Sequence, residues 1–464
     1  MSLSRDFAAF VAGLRFEDLP AAVVDRAKGV TLQALSSSLV AHDMPATRQA
    51  LALVQEEEAG GGGVATALCS GARFTKAGAA FVNAEMILAG GKWDTFRMLT
   101  HPGTAIIPAA LVASEISGAD GRTFLTAVAA GYEVMERMAA EFIPTVMSRG
   151  FHAGPVFGIF GAAVAAAKVQ GLNADRVNAT IAQCVNLAGG NLEGIRSGGR
   201  SLREGGAVRN ALLAVALAKQ GMPGGETTLE GEAGFYHAYT GNNLGQLRYS
   251  YTGKNRIDLA SITEGLGRDW MFLETLYRIY STAGYNIAHI DITAGICRDN
   301  NIVAADIDRI EAVVNWLETQ YPSPAFPLPG TDGQPRVGST HYFSAWGAAT
   351  GGYPLLRGAG PGPGESDPPE VLDLMQRVTL IPTVGRTLFG PRVTVFTKDG
   401  RRFTREGTGR EFIWDFDGLV GRIGGIANGL AIPAGQYGEL VEACRGLDGL
   451  DKAADRLIGL TVAR

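Results

Sequence analysis

The chain has 464 residues, of which 46% are hydrophobic and 19% charged, and its formal net charge at pH 7 is −5. This length predicts roughly two or three domains, each able to bury a core. Lys and Arg are scattered along the chain rather than clustered, which excludes the basic patch that a nucleic-acid partner would need.

The four cysteines are widely spaced and show no CxxC or Cys/His metal spacing: Cys69, Cys184, Cys297 and Cys444. This usage is typical of buried thiols in a cytoplasmic protein. The stretch MSLSRDFAAFVAGLRFEDLP meets charges too early for a signal peptide. The most apolar segment, residues 155–167, is shorter than the roughly 20 residues that a membrane span needs. We therefore expect a cytoplasmic protein with no membrane partner.

From Asp6 to about residue 265, nearly every periodic stretch has helical spacing. Residues 123–140 place apolar side chains at steps of three and four, which predicts one buried face, with Asp120 or Thr123 as the N-cap. Residues 155–170 are apolar on all sides, so we expect a central helix whose many Ala and Gly residues let neighbours approach closely. Residues 208–219 repeat the helical pattern.

Beyond about residue 265 the pattern changes to short segments rich in β-branched residues, as strands are. Residues 309–316 and 377–381 are predicted strands. Residues 392–397 and 401–405 are a predicted hairpin, because the Asp-Gly pair between them supplies the positive φ angles of a tight turn. From Glu411 onward the spacing is helical again.

The densest group of functional side chains lies in residues 90–108. It holds a possible base, an acid, a hydroxyl and two cations: Lys92, Asp94, Thr95, Arg97 and His101. Pro102 biases His101 away from helix, so the imidazole is expected on a loop just before a helix whose start favours a bound anion. The alternatives are that His101 is a structural hydrogen-bonding residue and that Asp94 and Thr95 cap a short helix.

A second candidate is His152, which lies near two glycines and leads directly into the apolar helix. Close backbone would hold its ring, and burial would tune its pKa. The alternative is a helix-capping loop without catalytic function.

A third candidate is the glycine-rich stretch of residues 190–211, which carries Arg196, Arg200, Arg203 and Arg209. It follows no strand pattern and matches neither GxGxxG nor the P-loop, so a nucleotide is not expected. Arginine forks suit small carboxylates as well as phosphates. The alternative is a solvated loop.

A fourth candidate is residues 277–291, which contain Arg278, Tyr280, His289 and Asp291. Near the start of a second domain, such side chains would reach a cleft between domains, where ligands often bind. The alternative is that they are structural polar residues.

In their order and spacing these stretches resemble the MmgE/PrpD family, which includes 2-methylcitrate dehydratase, cis-aconitate decarboxylase and iminodisuccinate epimerase. The resemblance covers nearly the whole chain and rests on segments such as THPGTAIIPAAL, RGFHAGPVFGIFGAAVAAAKVQGL, LEGEAGF and THYFSAWGAATGG. It implies a mainly α fold, with a large all-helical domain built from both chain ends (residues 1–265 and 408–464) and a smaller α+β lid domain (residues 266–407). It also implies a homodimer, and a site between domain and lid that binds small polycarboxylates with no metal and no organic cofactor.

The family's residue pattern carries over in part. The resemblance implies substrate-binding or catalytic roles for its matching positions, Asp94, Thr95, His101, His152 and Tyr280. Family lysines fall on Arg200 and Arg278, and a family histidine falls on Arg203. Other positions depart from the family: Gly91 and Trp93 stand at aspartates, Leu88 and Ile287 at histidines, and Ser281 at a proline.

These departures remove carboxylates and add cations, and arginine stays charged at any working pH. We therefore expect a pocket that is more positive than is usual in the family and suited to a polyanion. Its substrate-binding residues would be Asp94, Thr95, Arg200, Arg203 and Arg278, and its catalytic residues His101, His152, Tyr280 and Lys92.

The leading hypothesis is a cofactor-independent lyase, of dehydratase or decarboxylase type, that abstracts a proton next to a carboxylate of a small di- or tricarboxylate. His101 or His152 would be the general base or acid, and the cations would stabilise the charge that develops. One alternative is an epimerase that removes and returns the same proton. The other is a polyanion-binding protein that kept the fold and lost the chemistry.

Overall fold

The structure is a computed structural model that describes residues 2–59, 61–196, 203–280, 282–327, 334–353, 367–426 and 430–464. Two compact units make up the chain. The first comprises Met1–Leu247, Arg256–Ile279 and Asp415–Arg464, and the second comprises Arg248–Asn255 and Tyr280–Trp414.

Helices dominate the described residues, so the mainly α prediction is confirmed. In chain order the helices are α1 (Leu3–Gly13), α2 (Ala21–Ala41), α3 (Pro45–Glu57), α4 (Lys76–Gly90), α5 (Gly103–Ser117), α6 (Gly121–Ala139), α7 (Ile143–Met147), α8 (Ala153–Val169), α9 (Ala174–Leu187), α10 (Glu193–Arg196), α11 (Arg203–Lys219), α12 (Phe235–Thr240), α13 (Gly284–Asp299), α14 (Thr340–Thr350), α15 (Pro369–Met375), α16 (Phe416–Ile423), α17 (Ala434–Arg445) and α18 (Ala453–Thr461). The strands are β1 (Ala65–Thr66), β2 (Arg73–Phe74), β3 (Asp94–Thr95), β4 (Leu276–Tyr277), β5 (Ile307–Asn315), β6 (Val378–Thr383), β7 (Arg392–Thr397) and β8 (Arg402–Glu406).

Helix α8 lies at the centre of the first unit and packs against α5, α6, α9 and α11. All of its residues except Lys168 are buried, as expected for a segment that is apolar on all sides. Glycine is required where α8 meets α6. A Cβ added at Gly161 would lie 2.9 Å from the Gly131 carbonyl oxygen, and one added at Gly131 would lie 2.7 Å from that of Gly161. The predicted central helix with closely approaching neighbours is confirmed.

The helix predicted over residues 123–140 is α6, and Asp120 is its N-cap. The Asp120 carboxylate accepts the backbone N–H of Thr123 at 2.8 Å, which satisfies one of the unpaired donors at a helix start. The helix predicted over residues 208–219 begins earlier, at Arg203. This extension places Arg203 in the first turn of α11.

The second unit contains a four-stranded mixed sheet in the order β6-β5-β7-β8. Strands β5 and β6 are parallel, whereas β7 is antiparallel to both β5 and β8. All the predicted strands are present, and Gly400 has the positive φ, 86°, that the predicted hairpin turn needs. Helices α13, α14 and α15 share a buried core with this sheet.

The first unit also contains two short antiparallel ladders that the sequence did not indicate. One pairs β1 with β2, and the other pairs β3 with β4. Each strand has two residues, too few for an alternating pattern to be visible. Within the described ranges, no helix combines the length and the apolar character that crossing a bilayer requires.

Candidate active site

The β3–β4 ladder pairs the segment between α4 and α5 with residues of the first unit that are far away in sequence. Asp94 pairs with Tyr277, and the Arg278 backbone N–H donates to the Trp93 carbonyl oxygen at 3.0 Å. This pairing brings Arg278 to the segment that carries His101. It also shows that one interpretation was wrong, because Asp94 and Thr95 form a strand and do not cap a short helix.

The chain turns sharply as it leaves α4. Gly91 is the C-cap, with φ of 69° in the left-handed region, where glycine carries no steric cost. The next residue, Lys92, is 1% exposed, and its backbone N–H donates to Ser37 Oγ at 3.2 Å. Burial and the nearby Arg278 guanidinium lower the pKa of Lys92 to about 8. An amine with this pKa can bind an anion or donate a proton near neutral pH.

Asp94 fixes the geometry of the segment. Its Oδ2 accepts the Tyr132 hydroxyl at 2.5 Å, and its two carboxylate oxygens lie 3.1 and 3.0 Å from the Gly103 backbone nitrogen at the start of α5. Burial raises the pKa of Asp94 to about 7, although these donors oppose the shift. Asp94 therefore ties the ladder to α5 and α6.

His101 lies directly before α5, as predicted. Its Nδ1 is 2.9 Å from the Asp94 carbonyl oxygen and 3.3 Å from Thr95 Oγ1. Because a carbonyl oxygen can only accept, Nδ1 carries the proton and Nε2 carries the lone pair. Burial lowers the pKa of His101 well below its usual value, and Arg278 and Arg203 add to this effect. His101 is therefore a neutral base at neutral pH.

His152 is the N-cap of α8, and its Nδ1 accepts the Gly154 backbone N–H at 3.0 Å. Its Nε2 lies against the Arg203 guanidinium, within hydrogen-bonding distance of Nη1. Burial lowers the pKa of His152 well below its usual value, and Arg203 and His101 lower it further. His152 therefore caps α8, and it also lies near His101, as a catalytic role would require.

Two buried carboxyl groups, those of Glu204 and Glu85, lie near Arg203. Burial raises the pKa of Glu204 to about 7, with Arg203 opposing the shift and Glu85 adding to it. The Glu85 Oε1 accepts the Gly205 backbone N–H at 2.9 Å. The Glu204 carboxylate packs so closely on the start of α8 that a Cβ at Gly154 would lie 2.6 Å from its Oε1. These acids border the cationic side of the site.

Most of the candidate site residues identified from the sequence lie close together in the structure: Lys92, Asp94, Thr95, His101, His152, Arg203 and Arg278. Arg200 lies outside the described residues. Tyr280 belongs to the second unit, where its ring stacks on that of Tyr353 with centroids 3.8 Å apart.

Two further candidates lie away from this group. Arg209 forms an ion pair with Glu57 at 3.2 Å. His289 is buried in the second unit, with Nδ1 3.0 Å from Ser344 Oγ.

Sequence reasoning missed Tyr132 and Glu204. Tyr132 lies within residues 123–140, whose spacing predicts only a buried apolar face, and its hydroxyl partner Asp94 is distant in sequence. Glu204 follows Arg203 in a run of charged and small residues typical of a solvated loop. Only the structure shows that α11 extends back to Arg203 and that Glu204 is buried in its first turn.

The arrangement combines a neutral imidazole base with three cations and buried acids of raised pKa. It is suited to binding an anion and to moving a proton next to it. Among the residues that the structure describes, no three His, Cys, Asp or Glu side chains are grouped as metal ligands would be.

Comparison with known proteins identifies one matching family model and several distant relatives. The MmgE/PrpD N-terminal domain model matches residues 5–247. The cis-aconitate decarboxylase-like protein oryM of Aspergillus oryzae is 26% identical over 287 residues, which are 59% of this chain and 57% of the relative.

Several cis-aconitate decarboxylases also match. The human protein is 32% identical over 166 residues, 34% of each chain. The Aspergillus terreus protein is 24% identical over 286 residues, 59% of this chain and 56% of the relative. In these three alignments the matched region covers at most 57% of the relative's length.

Proposed function

The chain belongs to the MmgE/PrpD family, and from that premise we propose that it is a cofactor-independent lyase acting on a small di- or tricarboxylate. The observation that supports this proposal best is the state of His101. Its Nδ1–H is held by the Asp94 carbonyl oxygen, which leaves the Nε2 lone pair able to accept a proton. The distant relatives named as cis-aconitate decarboxylases support the carboxylate substrate and the lyase class.

The cations of the site meet the second requirement of the chemistry, which is to stabilise the negative charge that develops on the substrate. A carbanion next to a carboxylate places its extra charge on the carboxylate oxygens, and preorganised cations stabilise that charge most effectively where water is excluded. Arg278 and Arg203 act on His101, and Lys92 lies near Arg278. Arg200 and Tyr280 are kept in the proposal on the family resemblance alone.

In a dehydration, His101 Nε2 removes the proton from the carbon next to a carboxylate. The electron pair forms the carbon–carbon double bond, and the hydroxyl group leaves as water after taking a proton from Lys92.

In a decarboxylation, the bond to the departing carbon dioxide breaks first. Its electron pair stays on the substrate, delocalised towards a remaining carboxylate, and a proton from Lys92 completes the product. Both reactions therefore pass through a carbanion that the same cations would stabilise.

The test is a substrate screen with purified protein dialysed against chelator. Cis-aconitate, 2-methylcitrate and related di- and tricarboxylates are incubated in deuterated buffer and followed by proton NMR. The proposal predicts that one acid loses carbon dioxide or water at an enzyme-dependent rate. Inversion of a centre with deuterium incorporation and no elimination would instead establish an epimerase. Calorimetric binding without turnover of any acid would contradict the lyase proposal.

A further inference from the structure

Arg137 lies in the last turn of α6 and is buried. Its Nε forms an ion pair with Glu133, one turn earlier on the same helix. The rest of its guanidinium donates to three backbone carbonyl oxygens of one loop, those of Ile262 at 3.2 Å, Glu264 at 2.5 Å and Asp269. The side chain therefore binds this loop to α6.

The burial of the ion pair between Arg137 and Glu133 is not explained by stability alone. Removing both charges from water costs free energy, and apolar residues of similar size often stabilise a core equally well. A guanidinium, however, has several N–H donors in a rigid planar fork. It can therefore hold several carbonyl groups in fixed positions at once. What Arg137 provides is the position of the loop.

Neighbouring residues of α6 hold the chain that follows the loop. The Phe272 backbone N–H donates to Glu133 Oε2 at 3.0 Å, and the Thr275 hydroxyl donates to Glu136 Oε1. Both acids are buried. Thr275 directly precedes β4, so α6 fixes the chain up to the residue at which β4 begins.

The held segment supports the turn that precedes His101. Strand β4 pairs with β3, whose Asp94 carbonyl oxygen binds His101 Nδ1. Glu274 also forms an ion pair with Arg97 at 2.6 Å. Arg97 and Leu99 have φ of 53° and 57°, a left-handed conformation that residues other than glycine keep only where their surroundings hold them. When this support weakens, the turn relaxes and His101 moves with it.

We propose that Arg137 is a positioning residue for the reaction, which holds residues 262–275 on α6 and thereby fixes the direction of the His101 imidazole. This inference rests on the proposed function for the role of His101 as the base. It adds that the orientation of this base depends on a buried ion pair of α6, acting through the segment that leads into β4.

The test is Arg137→Lys, which keeps the charge but replaces the planar fork by a single ammonium group. The matched control is Arg377→Lys in the second unit. Arg377 also donates to two backbone carbonyl oxygens and one carboxylate, those of Ile307, Asp308 and Asp373. Rates are measured on whichever acid the parent converts, well below the thermal midpoints of both variants. In Arg137→Lys, kcat is expected to fall about tenfold to a hundredfold, because small misplacements of a reacting group have effects of this size. Arg377→Lys should leave kcat unchanged.

A second readout is the NMR titration of the His101 ring in the free protein, assigned by its absence in His101→Gln. Burial keeps the pKa of His101 well below its usual value. A ring released towards solvent should therefore titrate higher, by about half a pH unit or more. This rise is expected in Arg137→Lys and not in Arg377→Lys. If Arg137→Lys does not fold, Glu133→Gln replaces it, since it keeps the side-chain shape and removes the charge that Arg137 binds, and the same changes are expected.

The outcomes separate this inference from the lyase proposal. Lower thermal stability of Arg137→Lys with unchanged kcat and His101 titration would overturn the inference, because the ion pair would then serve stability alone. A lower kcat with an unchanged titration would also overturn it, since His101 would not be the group that moves. An inactive parent protein in which Arg137→Lys raises the pKa of His101 would defeat the lyase proposal and keep the role of Arg137.

Discussion

The Tyr132 hydroxyl donates to Asp94 Oδ2 at 2.5 Å, and the same carboxylate accepts the backbone N–H of Gly103. Through these bonds a side chain of α6 holds the turn that carries His101. The Asp94 carbonyl oxygen in turn orients the imidazole. Tyr132 is therefore a positioning residue, acting on His101 through Asp94.

Tyr132→Phe should reduce the free energy of unfolding by about 1–3 kcal/mol, because a buried carboxyl group loses a donor. Urea unfolding measures this change. Tyr437→Phe is the matched control, since among the described residues the Tyr437 hydroxyl bonds only to a neutral partner, Ser36 Oγ at 3.0 Å. The control should cost less and leave turnover unchanged, whereas Tyr132→Phe should also lower turnover. Equal losses of stability and full activity in both variants would contradict the assignment.

Gly103→Ala should destabilise the first unit. A Cβ at Gly103 would lie 2.7 Å from the Tyr132 hydroxyl and 3.0 Å from Asp94 Oδ2, so the bonded group must move. A cost of about 1–3 kcal/mol is expected, as for other overpacked sites. A Cβ added at Gly438 in α17 has no described atom within 4 Å, so Gly438→Ala should be neutral or stabilising. Thermal unfolding compares the two variants, and a harmless Gly103→Ala would show that the contact is loose.

Stability should fall as pH rises towards neutrality. Burial raises the pKa of Asp94 from 3.8 to about 7 and that of Glu204 from 4.5 to about 7. The folded state therefore binds these protons more tightly than the unfolded state, and this contribution is complete below about pH 4 and lost as pH rises through about 7. Asp94→Asn should flatten the pH dependence of urea unfolding between pH 5 and 8. An unchanged slope would show that Asp94 does not retain its proton.

Anion binding should weaken above neutral pH because of Lys92. Burial lowers the pKa of Lys92 to about 8, so its positive charge is lost as pH rises through that value. Affinity for propane-1,2,3-tricarboxylate should drop about tenfold between pH 7 and pH 9.5, since one close charge pair in a buried site is lost. Lys92→Arg should remove most of this drop. Lys219→Arg, at the exposed end of α11, should leave the drop in place.

Much of the fold was predictable because local patterns determine it. The all-apolar run of α8, the period of α6 and the Asp-Gly turn of the β7–β8 hairpin each require only neighbouring residues. The position of His101 before α5 followed in the same way from Pro102. The proposed domain boundaries stay a prediction.

The parts that could not be predicted depend on long-range contacts. The β3–β4 ladder joins residues that are far apart in sequence through two residue pairs, and no periodicity marks it. The hydrogen bond between Tyr132 and Asp94, and the packing of Trp93 against Arg278, follow from that ladder and from the crossing of α5 with α6. The sequence identified Arg278 as a candidate site residue, but it could not show which contacts hold this side chain in place.

The most direct test of the account is the turnover rate of His101→Gln on whichever carboxylic acid the parent protein converts. His237→Gln, at an exposed position of α12, is the matched control. We predict that kcat falls by about 10²–10⁴-fold in His101→Gln, the usual contribution of a general base, with tricarboxylate binding kept and the control unaffected. Full activity in His101→Gln would contradict the central claim that this neutral imidazole moves the proton.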